Sequence, residues 1–258
     1  MRSYLTYMNS HGFNLLSPSK HFRTLFDTRN FPSIGQSALA VSKLRHFSAF
    51  PQLTVVVDLD ECMVHSRFLE FHENNPMHVD YRQAEWRPEH VKEVNSFECT
   101  LPWEETVIVN KRPHLDHFLQ EVSDEYRCIS FTASDEHYAS VVLDHLDPGH
   151  HFFTDRLFKE SCRKVKGIAL KDLSVISDDL SRIVLIENSS KAILANPLNA
   201  ILVPPFYDNT EDTALKEVLE LLHELDGVPD VRPVLQERLK YDFIYKAEIR
   251  SLFDVHVA

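Results

Sequence analysis

The apolar residues of this chain alternate between two spacings. LTVVV, Leu53 to Val57, is an unbroken aliphatic run that stops at acidic residues, which predicts a strand covered on both faces in a parallel sheet. Beyond Pro113, read as the first helical residue, Leu115, Phe118, Leu119 and Val122 recur at i, i+3, i+4 and i+7 and form one face of a helix. CISF, Cys128 to Phe131, predicts the next buried strand. A second helix is expected from Asp135 as N-cap, with Tyr138, Val141, Val142 and Leu146 inward and Pro148-Gly149 beyond its end. IVLI (183–186) and AILV (200–203) predict two further strands. Leu215, Val218, Leu219, Leu222 and Leu225 give another helical stripe, and Lys240 to Phe253 a last one. Strands and helices alternating in this order predict an α/β domain on a parallel sheet.

Between the first strand and the Pro113 helix lie about forty residues, 67–107, rich in Glu and His and carrying Trp86 and Trp103. A connection of that length in a compact domain is usually functional or disordered, so it reads as an insertion beside the site. Charge divides the chain further. Residues 1–50 hold Arg2, Lys20, Arg23, Arg29, Lys43 and Arg45 against Asp27 alone, a balance of +5; with a net charge of −12, the remainder carries −17. That acid-poor start, with eight serines, has the composition of a mitochondrial transit peptide or of a plain extension. The expected organisation is an extension over 1–50, one catalytic domain over 51–240 and a helical tail over 241–258.

The acidic balance argues against nucleic-acid partners held by phosphate contacts. Five glycines leave no room for a nucleotide-cradling loop. Four cysteines without a CxxC, and fifteen histidines without an HExxH, argue for reduced thiols inside a cell and against a zinc centre. No run approaches the roughly 18 to 20 apolar residues of a membrane span, so a soluble protein is expected.

Chemistry gathers where the strands end, the edge at which parallel sheets bind ligands. The first strand runs into Asp58-Leu59-Asp60, and alternation along an extended chain points both carboxylates the same way. Like charges so close repel unless a cation joins them or one is protonated, and Mg²⁺ favours one or two carboxylates together with a phosphate. CISF ends at Thr132-Ala133-Ser134 and opens a helix, which makes an anion site. Lys171 offers a compact positive charge to a phosphoryl oxygen, and Glu187-Asn188-Ser189 offers further oxygens. Each alone has a bland reading: a chance DxD, a helix cap, a surface lysine, a turn residue. Their order is what carries weight.

VVVDLDECMVHS, RCISFTAS, LFKESC, KDLS and LIENS, in that order, resemble the phosphatases of the haloacid dehalogenase superfamily that act on the C-terminal domain of RNA polymerase II, including the small and Dullard-like members. The likeness runs from about Leu53 to Leu235. It implies a Rossmann-like parallel sheet flanked by helices, of haloacid dehalogenase type, with a β-rich insertion after the first strand. It also implies a Mg²⁺-dependent phosphoserine/phosphothreonine protein phosphatase. By the same resemblance Asp58 is the nucleophile that becomes phosphorylated, and Asp60 the general acid/base. Thr132 and Lys171 hold the phosphate, while Asp58, the main-chain carbonyl of Asp60, and Asn188 hold the metal. The substrate would be a phosphorylated protein, and the location mitochondrial, nuclear or cytoplasmic.

Three residues depart from the family pattern. Cys62 stands where Thr or Val is usual, Glu187 replaces the Asp of a DN pair and puts metal affinity in question, and Lys159 replaces a substrate-reading arginine. Arg and Lys are not equivalent there, so polymerase-tail specificity is not carried over. DVRPVL (230–235) also resembles the receptor subunit of the mitochondrial presequence translocase, a binding protein on the same scaffold, and that is the alternative function.

Overall fold

The structure, a computed structural model, describes residues 50–68 and 94–239. The expected extension, the middle of the insertion with Trp86, and the helix over 240–253 lie outside the described residues.

Among the described residues ten strands form three sheets. The largest contains β1 (Thr54–Val57), β5 (Arg127–Phe131), β6 (Asp155–Leu157), β9 (Ile183–Glu187) and β10 (Ala200–Leu202), in the order β10-β9-β1-β5-β6 and parallel throughout. β1 lies at the centre because its four residues, TVVV, are buried on both faces. From β1 the chain builds outward through β5 and β6, then returns to lay β9 and β10 on the other side. This reversal makes the C-terminal end of β1 a switch point, where a crevice for a ligand opens.

The helices are α1 (Leu115–Glu125), α2 (Glu136–Leu146), α3 (Ala214–Asp226) and α4 (Val231–Leu239). The α1 stripe is buried as its spacing requires, but Pro113 lies outside the helix. His114 is the N-cap in the left-handed region, φ 70°, because the Leu115 N–H first closes a turn onto the Arg112 carbonyl. In α2, Asp135 caps as expected, its carboxylate accepting from the His137 N–H at 3.0 Å, but Leu143 is buried and Val141 only half-buried. α3 differs likewise, with Leu221 buried and Leu219 half-buried. An apolar face more than about 100° wide takes in such neighbouring i+3 and i+4 positions. α4 was not anticipated. Asp230 caps it through the Arg232 N–H, and Pro233 falls in its first turn, where proline costs no hydrogen bond.

The insertion is β-rich at both ends. β2 (Val64–Phe68), β3 (Ser96–Thr100) and β4 (Thr106–Lys111) form an antiparallel sheet in the order β2-β4-β3, so the unit begins before residue 67 and ends after 107. A hairpin, β7 (Arg163–Val165) and β8 (Ile168–Leu170), turns through Lys166 (φ 47°) and Gly167 (φ 81°). Two positive φ values in succession are what a two-residue turn matching strand twist needs.

Two buried arginines tie the loops to this frame. Arg112 donates to both carboxylate oxygens of Asp212 at 2.8 and 2.9 Å and to the carbonyls of Cys62 and Pro204. Arg182 donates to the carbonyls of Pro51, Leu225 and Val228 and to Asp226, which satisfies the C-terminal end of α3. The four cysteines are buried and unpaired with one another.

Candidate active site

At the end of β1 the ladder continues one residue further, with the Asp58 N–H on the Ile186 carbonyl at 3.0 Å. The chain then reverses through Glu61 at φ 59°. This sharp turn keeps both Asp58 and Asp60 at the sheet edge. Asp58, Lys171 and Glu187 are 6%, 1% and 1% exposed, so each charge must find a partner or be lost. They find each other: the Lys171 ammonium donates to Asp58 Oδ1 and to Glu187 Oε2. Lys171 reaches this position because it directly follows the last residue of β8, with its own N–H held by the Ala192 carbonyl at 2.9 Å. Burial opposes its charge, but the two carboxylates outweigh burial and raise its pKa. Burial, then the charge of Glu187, pushes the Asp58 carboxyl well above the usual range against the pull of Lys171.

Asp60 faces hydroxyls instead of an ammonium. Tyr138 Oη donates to its Oδ1 at 2.6 Å, Ser134 Oγ to its Oδ2 at 2.6 Å, and Thr132 Oγ1 lies 3.5 Å from the same Oδ2. Burial raises the Asp60 pKa, and the bonds from Ser134 and Tyr138 oppose the rise. Thr132 Oγ1 accepts from the Ser134 N–H at 3.0 Å, and its contact to Asp60 is long enough for the hydroxyl proton to turn toward a phosphoryl oxygen. The two aspartates therefore sit in different environments, one against a cation and one among neutral donors.

Asn188 completes the cluster. With Nδ2 toward Glu61 Oε2 at 3.4 Å, its Oδ1 stands 2.9 Å from both Asp58 Oδ2 and Glu187 Oε1; turned over, the amide would donate to both. Two oxygens at that distance repel, so the turned-over amide, donating to Asp58 and Glu187, is the orientation its neighbours favour. In the other orientation Oδ1 could be offered to a Mg²⁺ ion beside Asp58. Both oxygens of Glu187 are already engaged. Its Oε1 accepts from the N–H groups of Asn188 and Ser189 at 3.0 and 2.9 Å, and its Oε2 takes Lys171. The extra methylene lets Glu187 shape the loop that presents Asn188.

All five residues singled out from the sequence, Asp58, Asp60, Thr132, Lys171 and Asn188, thus meet at one edge. Ser134 and Tyr138 belong to the same network, although the sequence places Ser134 only in the Thr132-Ala133-Ser134 anion site and Tyr138 only on the inward face of a helix. A buried tyrosine needs a partner for its hydroxyl, and that was the available signal. Cys62 is buried with its thiol donating to the Ile186 carbonyl at 3.7 Å, and burial pushes its pKa well up. Lys159 is exposed, its N–H on the Ser134 carbonyl at 3.1 Å.

A family model described as NLI interacting factor-like phosphatase matches residues 53–232. The CTD nuclear envelope phosphatase 1B of Danio rerio is 33% identical over 222 residues, 85% of this chain and 85% of that protein. The carboxy-terminal domain RNA polymerase II polypeptide A small phosphatase 1 of Homo sapiens is 36% identical over 191 residues, 72% of this chain and 64% of that protein. Among solved structures, Fcp1, an essential RNA polymerase II CTD phosphatase, aligns with a TM-score of 0.45 and 21% identity over 80% of this chain and 55% of that one. A likeness at that level adds nothing to the sheet order described above.

Proposed function

The chain belongs to the NLI interacting factor-like phosphatase family, and from that membership as a phosphoprotein phosphatase we propose a Mg²⁺-dependent enzyme that removes phosphate from serine and threonine through a phosphorylated Asp58. The observation that carries this reading is the convergence of Asp58, Lys171 and Asn188 at one strand end, with Asp60 beside them among hydroxyl donors.

In this mechanism Asp58 attacks phosphorus in line as the bond to the serine or threonine oxygen breaks, and Asp60 gives that oxygen a proton. Lys171 and Thr132 hold the phosphoryl oxygens. Asp60 then takes a proton from the water that attacks the phosphoryl group on Asp58, which frees phosphate and restores both carboxyls. Asp58, the Asp60 main-chain carbonyl and Asn188 are the residues that would hold Mg²⁺. When bound, the ion supplies charge neutralisation on the phosphoryl oxygens and on Asp58.

The family match supports a catalytic domain over about 51–240. The alternative of a presequence receptor has no support: the relatives are named as phosphatases, and the acidic pair and its partners are complete. The relatives' names, nuclear envelope phosphatase among them, support an intracellular place on the nuclear or cytoplasmic side over a mitochondrial one.

Hydrolysis of a phosphoserine peptide tests the reading. Chelation by EDTA is expected to abolish it and added Mg²⁺ to restore it, while Asp60→Asn is expected to lower kcat by roughly 10² to 10⁴. Undiminished turnover in EDTA would rule out the metal.

A further inference from the structure

The β7–β8 hairpin is charged against the trend of the chain. Residues 159–171 hold five cations, Lys159, Arg163, Lys164, Lys166 and Lys171, and one acid, Glu160, in a protein of net charge −12. Lys171 is buried in the site, but Lys159, Arg163, Lys164 and Lys166 are exposed. Arg163 shares its charge with Asp172 at 3.1 Å.

Both ends of the hairpin are fastened to the catalytic edge. Ahead of β7, the Cys162 thiol meets the Thr132 carbonyl at 3.8 Å and the Lys159 N–H meets the Ser134 carbonyl. Behind β8 comes Lys171 itself. Val165, Ile168 and Leu170 pack against Leu194 and Ala195, while Lys164 and Lys166 are exposed. Lys164 is paired with Ala169, two residues before Lys171, and Lys166 lies five residues before it, so these cations stand from about 7 to about 16 Å along the strand from Lys171. Two to five residues of an extended peptide cover the same range.

We propose that this hairpin is a docking surface for acidic side chains about two to five residues from the phosphorylated one, so that the preferred substrates are phosphoproteins with acidic or additional phosphorylated residues flanking the site. The proposal rests on the phosphatase reading above and names its substrate class. Charge complementarity is the argument. A body that repels acidic peptides presents beside its active site a cationic strip, whose field acts over about 10 Å at moderate salt.

The test compares two phosphoserine peptides, one with aspartates at three positions on either side and one with alanines there, against wild type, Lys164→Glu/Lys166→Glu and a control, Lys216→Glu, on α3. Hydrolysis of 4-nitrophenyl phosphate reports separately on the catalytic centre. Wild type and control are expected to prefer the acidic peptide in kcat/KM by roughly five- to tenfold at low salt. The preference is expected to vanish in the double variant and, in wild type, in 1 M salt; the salt series carries the test even if the variant fails to fold. Equal rates on both peptides, with the aryl phosphate hydrolysed, overturn the docking surface and leave the phosphatase reading intact. A preference that survives charge reversal also overturns it, as does reversal that releases the protein from phosphatidylserine vesicles without altering the preference. Hydrolysis of none of the three substrates overturns both readings.

Discussion

At Asp60, two short hydrogen bonds from Tyr138 and Ser134 fix one carboxyl in place. Tyr138 is held in turn, its hydroxyl 2.6 Å from Ser66 Oγ on β2, so the insertion sheet reaches Asp60 through that phenol. A serine or threonine alkoxide leaves poorly unless protonated, whereas 4-nitrophenolate leaves unaided. Tyr138→Phe frees Asp60 to swing, and is expected to lower kcat/KM on a phosphoserine peptide about tenfold while changing aryl phosphate hydrolysis less than about twofold. An equal loss on both substrates would reduce Tyr138 to a packing residue.

Among the elements, β2 was the hardest to anticipate, because VHSRF alternates nothing. Val64, His65 and Ser66 are all buried, with Ser66 Oγ against the Tyr138 hydroxyl and the His65 ring against Tyr207. His65 makes an edge contact with Tyr207 at 5.0 Å, and burial, then the charge of Arg67, lowers its pKa from 6.5 to about 4 against the pull of Asp208. A histidine that charges more easily unfolded than folded adds stability above pH 6.5 that is lost as pH falls toward 4, by up to about 3 kcal/mol. Urea unfolding at pH 7 and pH 5 is expected to show a loss in wild type that His65→Asn lacks; parallel losses would mean His65 does not titrate in this window. By contrast β1, β5 and β9 were legible because a strand buried on both faces leaves a continuous apolar run. The catalytic edge was legible because Asp58, Thr132 and Asn188 directly follow those runs. β6 and β7 were not, as three-residue strands carrying Arg and Lys have no pattern to read, and the Ile-Ala-Leu of β8 is too short to set it apart. Arg112 and Arg182 could not be found either, because their carbonyl partners are brought together only by the fold.

Over the molecule as a whole, a single reversal of strand order decides where the chemistry sits. With β1 between β5 and β9, the residues after three strands converge: the aspartates from one, Thr132 and Ser134 from another, Asn188 from the third. Lys171 is delivered separately by the cationic hairpin, so the group that neutralises Asp58 and the surface proposed to read the substrate are one continuous segment. The central claim is that Asp58 carries the phosphoryl group. Rapid acid quench of wild type during turnover of a phosphoserine peptide with Mg²⁺, followed by mass analysis of the digested protein, measures this directly. A phosphoryl adduct on the peptide bearing Asp58, absent from Asp58→Asn, which is itself inactive, is the expected result. Full turnover by Asp58→Asn, or steady turnover by wild type with the adduct on another residue, would contradict it.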